Sequence, residues 1–443
     1  MRSPGSKIPL KEKIRMYRFK FSLNLGRVAT SLLGVSLLAA NTFATTEKVV
    51  YSLQGPPDGS SPQASLVADS AGNLYGTTEV GGSNYGAVFE LSPPATAGGT
   101  WTEQVLHTFQ NDSTDGTYPT GTLVFDKQGN LYGTTQEGGP SGTGTIFELT
   151  APTTAGGEWT EAILWTFPAN FLKGYSPAGK LSIDAAGNLY GTTGAGGPKV
   201  KTCTLCGVVF ELVKPKTSDQ VWAERVLYNF GVVAHDGFVP SPDLLLRGGM
   251  YGTTRAGGTN NYGTVFQLTP HTGLWTETIL YNFASSEGIV PQGGLIADAA
   301  GNLFGTTSSG GTDETCSCGT IYELSPPAVA GGAWQKSTLY SFTGLSDGAR
   351  PFGPLWRDSL DDLFGTTTIR GESQHGGAGT VFKLKAPAVS GGVWTFVLLH
   401  DFGTTPGDGG APLGGLILQN GLLYGTTQAG GTDNLGAVFS VTP

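Results

Sequence analysis

The amino-acid sequence predicts an all-β protein made of seven similar units. A heptapeptide, Gly-Asn-Leu-Tyr-Gly-Thr-Thr at residues 72–78, returns in close copies along the whole chain. The copies are regularly spaced, roughly 53 to 61 residues apart, which indicates a repeat architecture. No segment combines a sustained 3.6-residue apolar period with helix caps, so helices are not expected in the mature protein. The Gly-Thr-Thr cores begin at Gly76, Gly133, Gly191, Gly252, Gly305, Gly365 and Gly425.

The second unit shows the pattern that every unit repeats. Short runs rich in leucine, β-branched and aromatic residues alternate with turns rich in glycine, asparagine and proline. This alternation is typical of a small antiparallel sheet. We therefore expect four strands in each unit. In the second unit the expected strands are residues 121–126, 131–135, 145–149 and 159–167.

The two ends of the chain are out of phase with the repeats. The last unit stops after its third strand, 437–441, whereas residues 46–53 align with the fourth strand 102–109 of the first full unit. An open solenoid would gain nothing from this offset because its ends are capped rather than joined. In a closed ring, the N-terminal strand completes the last sheet. A unit of about 57 residues also suits a four-stranded blade.

The sequence therefore predicts a seven-bladed β-propeller of four-stranded blades, with the ring closed by the N-terminal strand. The alternative is a parallel β-helix, but its rungs are much shorter than this period. The tyrosine or phenylalanine before each Gly-Thr-Thr is expected to fill space between neighbouring blades. The glycine itself is expected to permit close backbone approach.

The repeated motif resembles that of a known family. Gly-Asn-Leu-Tyr-Gly-Thr-Thr, followed by Gly-Gly, Gly-Thr-Val-Phe-Glu-Leu and Trp-Thr-Glu, resembles the GloVer tandem repeat of exported bacterial proteins, described as choice-of-anchor proteins. The resemblance covers nearly all of the chain after residue 44. It implies export and a repeat array, and it implies no substrate, catalytic residue or cofactor.

Residues 1–44 have the features of a secretory signal peptide. Basic residues precede an apolar run, 28–40, and a small-residue exit follows at 42–44. The apolar run is too short for a spanning helix, which needs about 20 residues; an uncleaved membrane anchor is the alternative. We expect cleavage after Ala44 and a single mature domain, 45–443. The protein is then secreted, periplasmic or held at the cell surface.

The mature chain is expected to be acidic. The whole chain has 25 basic and 34 acidic residues and a net charge of −9. Residues 1–44 hold eight of the bases and one of the acids, so their removal leaves a net charge of −16. Such a charge disfavours binding to nucleic acid or to an anionic membrane. We expect a monomer with no membrane span and with an extracellular glycan or protein as partner.

A second motif lies in the loop between each fourth strand and the next first strand. Six units carry Asp-Gly or Glu-Gly, and one carries Lys-Gly, with a proline four residues after the charged residue. This loop is expected on the same face as the glycine-rich loop, so the acids could bind Ca²⁺ or sugar hydroxyls. The alternative is turn chemistry, since Asp-Gly favours tight turns. The candidate ligand-binding acids are Asp58, Asp115, Asp236, Glu287, Asp347 and Asp408.

Two glycine-rich loops contain cysteine pairs, Cys203 with Cys206 and Cys316 with Cys318. Their units lie two apart around the expected ring, so a zinc site made of all four is not expected. In an exported protein each pair is a candidate disulfide, although a Cys-x-Cys bridge is strained, and the redox state of the second pair is left open.

Another deviating loop contains Arg370 and His375, which join the candidate ligand-binding residues. The five histidines share no repeat position, and the chain has no nucleophile elbow, His-Glu-x-x-His motif or phosphate loop. We therefore expect a binding module whose loop-rich face meets a glycan or a protein. It needs no catalytic residue, no metal, and no cofactor beyond the Ca²⁺ considered above. The alternative is an extracellular propeller hydrolase or lyase acting on polysaccharide, because carboxylates suited to acid–base chemistry are plentiful.

Overall fold

Seven antiparallel sheets of similar form follow one another along the chain. They are seen in a computed structural model that describes residues 47–96, 98–154, 156–199, 206–217, 219–271, 274–312, 316–329, 331–369, 378–389 and 391–443. In each sheet, four strands pair in the order of a meander, and the fourth and fifth sheets gain one additional short strand. The expected signal peptide, residues 1–44, lies outside the described residues. The segment Thr45–Pro443 forms one compact unit, and its identity as the mature domain stays a prediction.

Each blade runs from an innermost strand at the axis to an outermost strand at the rim. The innermost strands are Val67–Ala68, Val124–Phe125, Ser182–Ile183, Leu245–Leu246, Ile296–Ala297, Trp356–Arg357 and Ile417–Gln419. The second strands are Leu74–Thr78, Leu131–Thr135, Leu189–Thr193, Met250–Gly257, Leu303–Ser309, Leu363–Thr367 and Leu422–Thr427. The third strands are Ala87–Ser92, Thr145–Thr150, Val208–Val213, Thr264–His271, Thr320–Ser325, Thr380–Lys385 and Ala437–Val441. The outermost strands are Thr102–Thr108, Thr160–Thr166, Ala223–Asn229, Leu274–Asn282, Gln335–Ser341, Thr395–Asp401 and, for the seventh blade, Glu47–Ser52.

The ring is closed by the N-terminal strand, as the sequence predicts. Glu47–Ser52 pairs antiparallel with Ala437–Val441, with Lys48 opposite Ser440 and Val49 opposite Phe439. The register then shifts by one residue, as it does in the other six outermost strands. The seventh blade therefore has the same geometry as its neighbours, and ordinary ladder hydrogen bonds hold the closure. Both predictions, the all-β class and the closed seven-bladed propeller, are confirmed.

The innermost strands are shorter than the sequence suggests. Residues 121–126 were expected to pair throughout, but only Val124 and Phe125 do so. The residues before them contact a neighbouring blade instead, and the carbonyl oxygen of Gly121 accepts a hydrogen bond from Oγ1 of Thr77 in the first blade at 3.4 Å. The Oγ1 of Thr134 donates to the carbonyl oxygen of Gly179 in the third blade, at 3.2 Å. The first threonine of Gly-Thr-Thr thus links adjacent blades.

The hydrophobic core is divided among the blade interfaces. Seven buried clusters are present in the described residues, and each joins two adjacent blades. Tyr75 of the first blade, for example, packs edge-on against Phe125 of the second, with ring centroids 5.1 Å apart. The prediction that this tyrosine position fills the space between blades is confirmed. Stacking of blade on blade is therefore the main source of hydrophobic stabilisation.

Side chains of the same blade leave no room for a residue larger than glycine in Gly-Thr-Thr. A Cβ atom at Gly76 would lie 2.6 Å from Cζ of Phe89 and 2.9 Å from Cδ2 of Leu66. Phe89 stands directly opposite Gly76 on the third strand, so its ring covers the glycine. The sequence predicted that this glycine permits close approach of backbones. In the structure, it makes room for an aromatic ring on the paired strand.

Helical structure is nearly absent from the described part of the chain, where the only helical segment is the 3₁₀ turn Ser285–Glu287. None of the described residues forms a helix with the length and apolar character needed to cross a membrane.

Candidate functional site

The axial channel is lined by seven copies of one short segment. Six copies have the form Pro-x-small-x-Leu, and the fourth has proline at the small position. Each copy leads from the rim loop, the loop between an outermost strand and the next innermost strand, into that innermost strand. The final leucines, such as Leu66 and Leu123, are buried between blades and fix the segment in place. The residue before each leucine faces the axis. These seven axial positions hold Ser65, Thr122, Lys180, Asp243, Gly294, Pro354 and Gly415.

Two cavities meet at this level of the axis. An upper chamber of about 220 Å³ and a lower chamber of about 710 Å³ share six of the axial residues, Ser65 to Pro354. The upper chamber lies toward the loops that precede the innermost strands. On this face the rim loops pair with the glycine-rich loops, for example Gly116 with Gly138, so the two loop families share a face as predicted.

The upper chamber has a polar mouth. Amide side chains of Gln63, Gln136 and Gln292, the hydroxyl of Thr120 and the guanidinium of Arg255 line it. Nε2 of Gln136 donates to Oγ1 of Thr120 at 2.7 Å, and Nε2 of Gln292 donates to Oγ of Ser308 at 2.7 Å. The Oε1 atom of Gln292 is buried and has no hydrogen-bond partner among the described residues. The aromatic ring of Phe352 completes one wall.

Two of the seven axial positions hold charged residues, at the level where the two chambers meet. The backbone N–H of Lys180 donates to Oδ1 of Asp243 at 3.1 Å. Burial raises the pKa of the Asp243 carboxyl, and the backbone N–H and charge of Lys180 act in the opposite direction. Gly294 leaves room for this carboxylate, since a Cβ atom there would lie 2.8 Å from Oδ2 of Asp243. Partial desolvation lowers the pKa of the Arg255 guanidinium, although the residue as a whole is exposed. Asp243 is the only carboxylate among the described residues that line either chamber.

The lower chamber is mostly apolar. Val67, Val124, Ile296, Trp356 and Leu418 contribute side chains to its wall, from five different blades.

The six candidate acids lie away from the axis, one at each of six blade interfaces. Five of them, Asp58, Asp115, Asp236, Asp347 and Asp408, are buried, and Glu287 is half-buried. Backbone N–H groups of their own loops bind the five aspartates: Gln54 donates to Asp58 at 2.8 Å, and Thr343 donates to Asp347 at 2.8 Å. The carboxylates therefore hold the turns, which is the role expected from turn chemistry. Ligand binding by this ring stays a prediction.

Each acid also contacts an aromatic residue of the preceding outermost strand. The Tyr51 hydroxyl donates to Asp58 at 3.1 Å, and the Tyr340 hydroxyl donates to Asp347 at 2.9 Å. Imidazoles take the same position at His107 and His400. The aromatic residues that contact an acid are, in chain order, Tyr51, His107, Tyr228, Tyr281, Tyr340 and His400, and at the seventh interface Trp165 contacts Lys173 instead.

A third residue reaches each pair from the next blade. We call such a three-residue group a seam. The third members are Glu103, Glu161, Glu224, Glu277, Lys336, Phe396 and, closing the ring, Glu47.

Four of the seams bring two carboxyl groups together. At one of them, the Tyr228 hydroxyl lies 3.1 Å from Oδ2 of Asp236 and 3.0 Å from Oε2 of Glu277. Burial, reinforced by the nearby Asp236, raises the pKa of Glu277 to about 8. Burial likewise raises the pKa of Glu103 and of Glu161 to about 7. Burial therefore favours the protonated form of these glutamates up to a higher pH than in a solvent-exposed glutamate.

In each of the remaining three seams, a substitution replaces one of the two carboxyl groups. Lys173 replaces the loop acid at the seam between the second and third blades, and its Nζ lies 2.8 Å from Oε2 of Glu224. Lys336 replaces the glutamate at the seam with Glu287. Phe396 replaces it at the next seam and stacks on Tyr340 with centroids 4.7 Å apart.

The remaining predicted site residues do not belong to the seams. Arg370, His375 and Cys203 lie outside the described residues. Cys206 is disulfide-bonded. Cys316 and Cys318 form a disulfide, with their Cα atoms 5.1 Å apart.

Sequence reasoning missed Lys180, Asp243 and Arg255. Lys180 and Asp243 lie 63 positions apart in the chain, and only the ring brings them together. Alignment of the seven segments that line the channel carries the relevant signal, because these two are the only charged residues at the axial position.

A closed ring of seven four-stranded blades around a channel defines a seven-bladed β-propeller. The chain belongs to the Gloeobacter/Verrucomicrobia repeat family, whose pattern matches residues 37–249 and 244–443. The resemblance to the GloVer repeat is thus confirmed. No curated protein sequence matches the chain.

Two solved structures are similar in fold. One is the extracellular domain of a protein described as a hybrid two-component system from B. thetaiotaomicron, with a TM-score of 0.49 and 14% identity. The match covers 90% of this chain and 42% of that one, so the chain spans about two fifths of its length. The other is described as an oxidoreductase, glucose dehydrogenase, from Thermus thermophilus, with a TM-score of 0.41, 15% identity and coverage of 74% and 97%. Scores this low carry no argument about function.

Proposed function

We propose that this protein is an exported binding module that takes the end of a glycan into the upper mouth of its axial channel. Export rests on the signal peptide expected at residues 1–44. Glycan binding rests on one observation. The mouth presents three amide side chains, a guanidinium and an aromatic ring, converging from separate blades.

This lining suits a sugar ring. Planar amides and guanidinium groups donate paired hydrogen bonds to vicinal hydroxyls or to a carboxylate, and an aromatic wall accepts the apolar face of a sugar. Arg255 has no ion-pair partner among the described residues, which favours a ligand with a carboxylate, such as a uronic acid. At about 220 Å³ the chamber is smaller than most ligand pockets, so it fits a terminal residue rather than an internal stretch of polysaccharide.

The lining favours binding over catalysis. Glycoside hydrolysis by the common mechanisms uses two carboxyl groups on either side of the scissile bond. The described lining of the channel offers one, Asp243, which is held by the backbone of Lys180. The alternative function, a hydrolase or lyase acting on polysaccharide, draws its support from this same residue, because a half-buried carboxyl with a raised pKa is a candidate acid.

A glycan array that contains neutral and uronic-acid oligosaccharides tests the proposal, followed by calorimetry on the ligands it identifies. We expect binding that Arg255→Gln weakens at least tenfold, a loss of about 1.4 kcal/mol. The matched control is Arg225→Gln, an exposed arginine paired with Glu211 at the rim, which should leave affinity unchanged. The absence of glycan binding by the folded protein, or equal effects of the two variants, would contradict the proposal.

The same oligosaccharides, incubated with the protein and analysed for new reducing ends and for unsaturated uronic acids, distinguish the two functions. Intact ligands support the binding module. Turnover that Asp243→Asn abolishes would establish the enzyme instead. N-terminal sequencing of the exported protein tests the other element of the proposal, and the expected first residue is Thr45.

A further inference from the structure

Two seams bring together a histidine, an aspartate and a glutamate. The first set joins the first and second blades, the second joins the sixth and seventh, and in each set one possible ligand atom per residue lies within 4.8 Å of the other two. We propose that each set binds a divalent transition-metal ion of the zinc type. The two sets are His107, Asp115 and Glu161, and His400, Asp408 and Glu47.

The distances suit such an ion. Nε2 of His400 lies 3.1 Å from Oδ2 of Asp408, and Nε2 of His107 lies 3.4 Å from Oδ2 of Asp115. Zinc bonds to nitrogen and oxygen of about 2.0–2.1 Å in a tetrahedron place neighbouring ligand atoms about 3.3 Å apart. An ion can therefore replace the direct contact with little movement. Imidazole with carboxylates is also a common ligand set for zinc.

The aspartates are already oriented by their own loops. Backbone N–H groups of Gly403 and Gly409 donate to Asp408 at 3.0 and 2.8 Å. In the other set, the backbone of Gln110 donates to Asp115 at 2.8 Å. Such outer hydrogen bonds fix metal ligands in many proteins, so binding would cost little reorganisation.

The glutamates supply the second observation. Oε1 of Glu47 and Oε1 of Glu161 are closed off from solvent, and neither has a hydrogen-bond partner among the described residues. A buried carboxylate oxygen without a partner is costly. At the seam between the third and fourth blades, which has no histidine, the Tyr228 hydroxyl lies within hydrogen-bond distance of both acids. In the two seams that contain a histidine, a metal ion would bridge the two acids instead.

The chain itself shows that a cation fits this place in the repeat. At the equivalent seam between the second and third blades, the ammonium of Lys173 lies 2.8 Å from the seam glutamate, Glu224. A bound ion would place positive charge at the same position in the two histidine seams. Because Glu47 belongs to the strand that closes the ring, an ion in the second set would join that strand to the sixth blade and stabilise the closure.

Titration of the untagged, EDTA-treated full chain with ZnCl₂ tests the proposal, by calorimetry for stoichiometry and by the d–d absorption of added CoCl₂ for coordination. We expect two ions per chain, one ion in His107→Tyr or in His400→Tyr, and none in the double variant. Tyrosine is the residue that the chain uses at this position in other seams, so the fold should persist. Zinc should raise the Tm of the wild type and leave that of the double variant unchanged.

A complementary variant adds a site. Tyr228→His places an imidazole beside Asp236 and Glu277 and should raise the count from two to three. Wild-type protein that binds no zinc at micromolar concentrations, a double variant that binds as the wild type does, or a Tyr228→His variant that remains at two ions would each overturn the proposal.

Discussion

The ammonium group of Lys173 lies 2.8 Å from Oε2 of Glu224, across the interface between the second and third blades. The glutamate side chain is fully buried, whereas the lysine is partly exposed. This pair occupies the place where four other seams hold two acids. The lysine thus supplies a positive charge where those four seams hold a second acid, and this leads to the first prediction.

Lys173→Met should lower the free energy of unfolding by about 1–3 kcal/mol at pH 8, because it leaves a buried carboxylate unpaired. Urea unfolding followed by tryptophan fluorescence measures the loss. Arg225→Met is the matched control, since Arg225 is exposed and its ion pair with Glu211 should be worth less than about 1 kcal/mol. Equal losses in the two variants would show that the buried seam charge has no special role.

The stability of the protein should depend on pH through Glu277. Its folded pKa of about 8 lies above the usual 4.5, so the stability that the protonated group contributes is complete below pH 4.5 and is lost as pH rises toward 8. Relative to Glu277→Gln, the wild type should lose more than about 1.4 kcal/mol between pH 5 and pH 9, the value of one pKa unit. Unfolding at the two pH values measures this difference. Glu158→Gln, at an exposed glutamate, should show no such difference, and a parallel pH response in Glu277→Gln would refute the assignment.

The repeated glycine should tolerate no side chain. In Gly76→Ala the new Cβ would lie 2.6 Å from the ring of Phe89, and overpacking of this kind costs about 1–3 kcal/mol. Gly194→Ala is the control, because the nearest atom to its new Cβ would be 3.7 Å away. Thermal unfolding should therefore show a clear drop in Tm for the first variant and little change for the second.

The threonine links between blades should differ in strength around the ring. Oγ1 of Thr426 donates to the carbonyl oxygen of Ala64 at 2.8 Å, whereas Oγ1 of Thr306 is buried without a partner among the described residues. Thr426→Val should thus cost about 1–2 kcal/mol, and Thr306→Val should be neutral or stabilising. Chemical denaturation of both variants provides the measurement, and a larger loss at Thr306 would contradict the hydrogen-bond pattern.

The architecture could be predicted from the sequence because its evidence is local and repeated. The alignment of residues 46–53 with 102–109 was enough to predict the closure between Glu47–Ser52 and Ala437–Val441. The role of the repeated glycine was only partly predicted, because a single strand does not show that Phe89 stands opposite Gly76.

The functional surfaces could not be predicted in the same way. An Asp-Gly motif is compatible with a tight turn and with a ligand-binding carboxylate. Only the fold shows that a carboxylate such as Asp347 faces inward toward Tyr340. His400 meets Glu47 because the ring closes, although the two residues lie 353 positions apart in the chain. Lys180 and Asp243 are likewise neighbours only around the axis.

The axial mouth is tested most directly by a crystal structure of the protein with the oligosaccharide that the array identifies. The account predicts a sugar residue in the upper chamber, within hydrogen-bond distance of Arg255 and Gln292 and against the ring of Phe352. A sugar bound instead at the rim loops around Asp58 or Asp347, with the axial chamber empty, would contradict it.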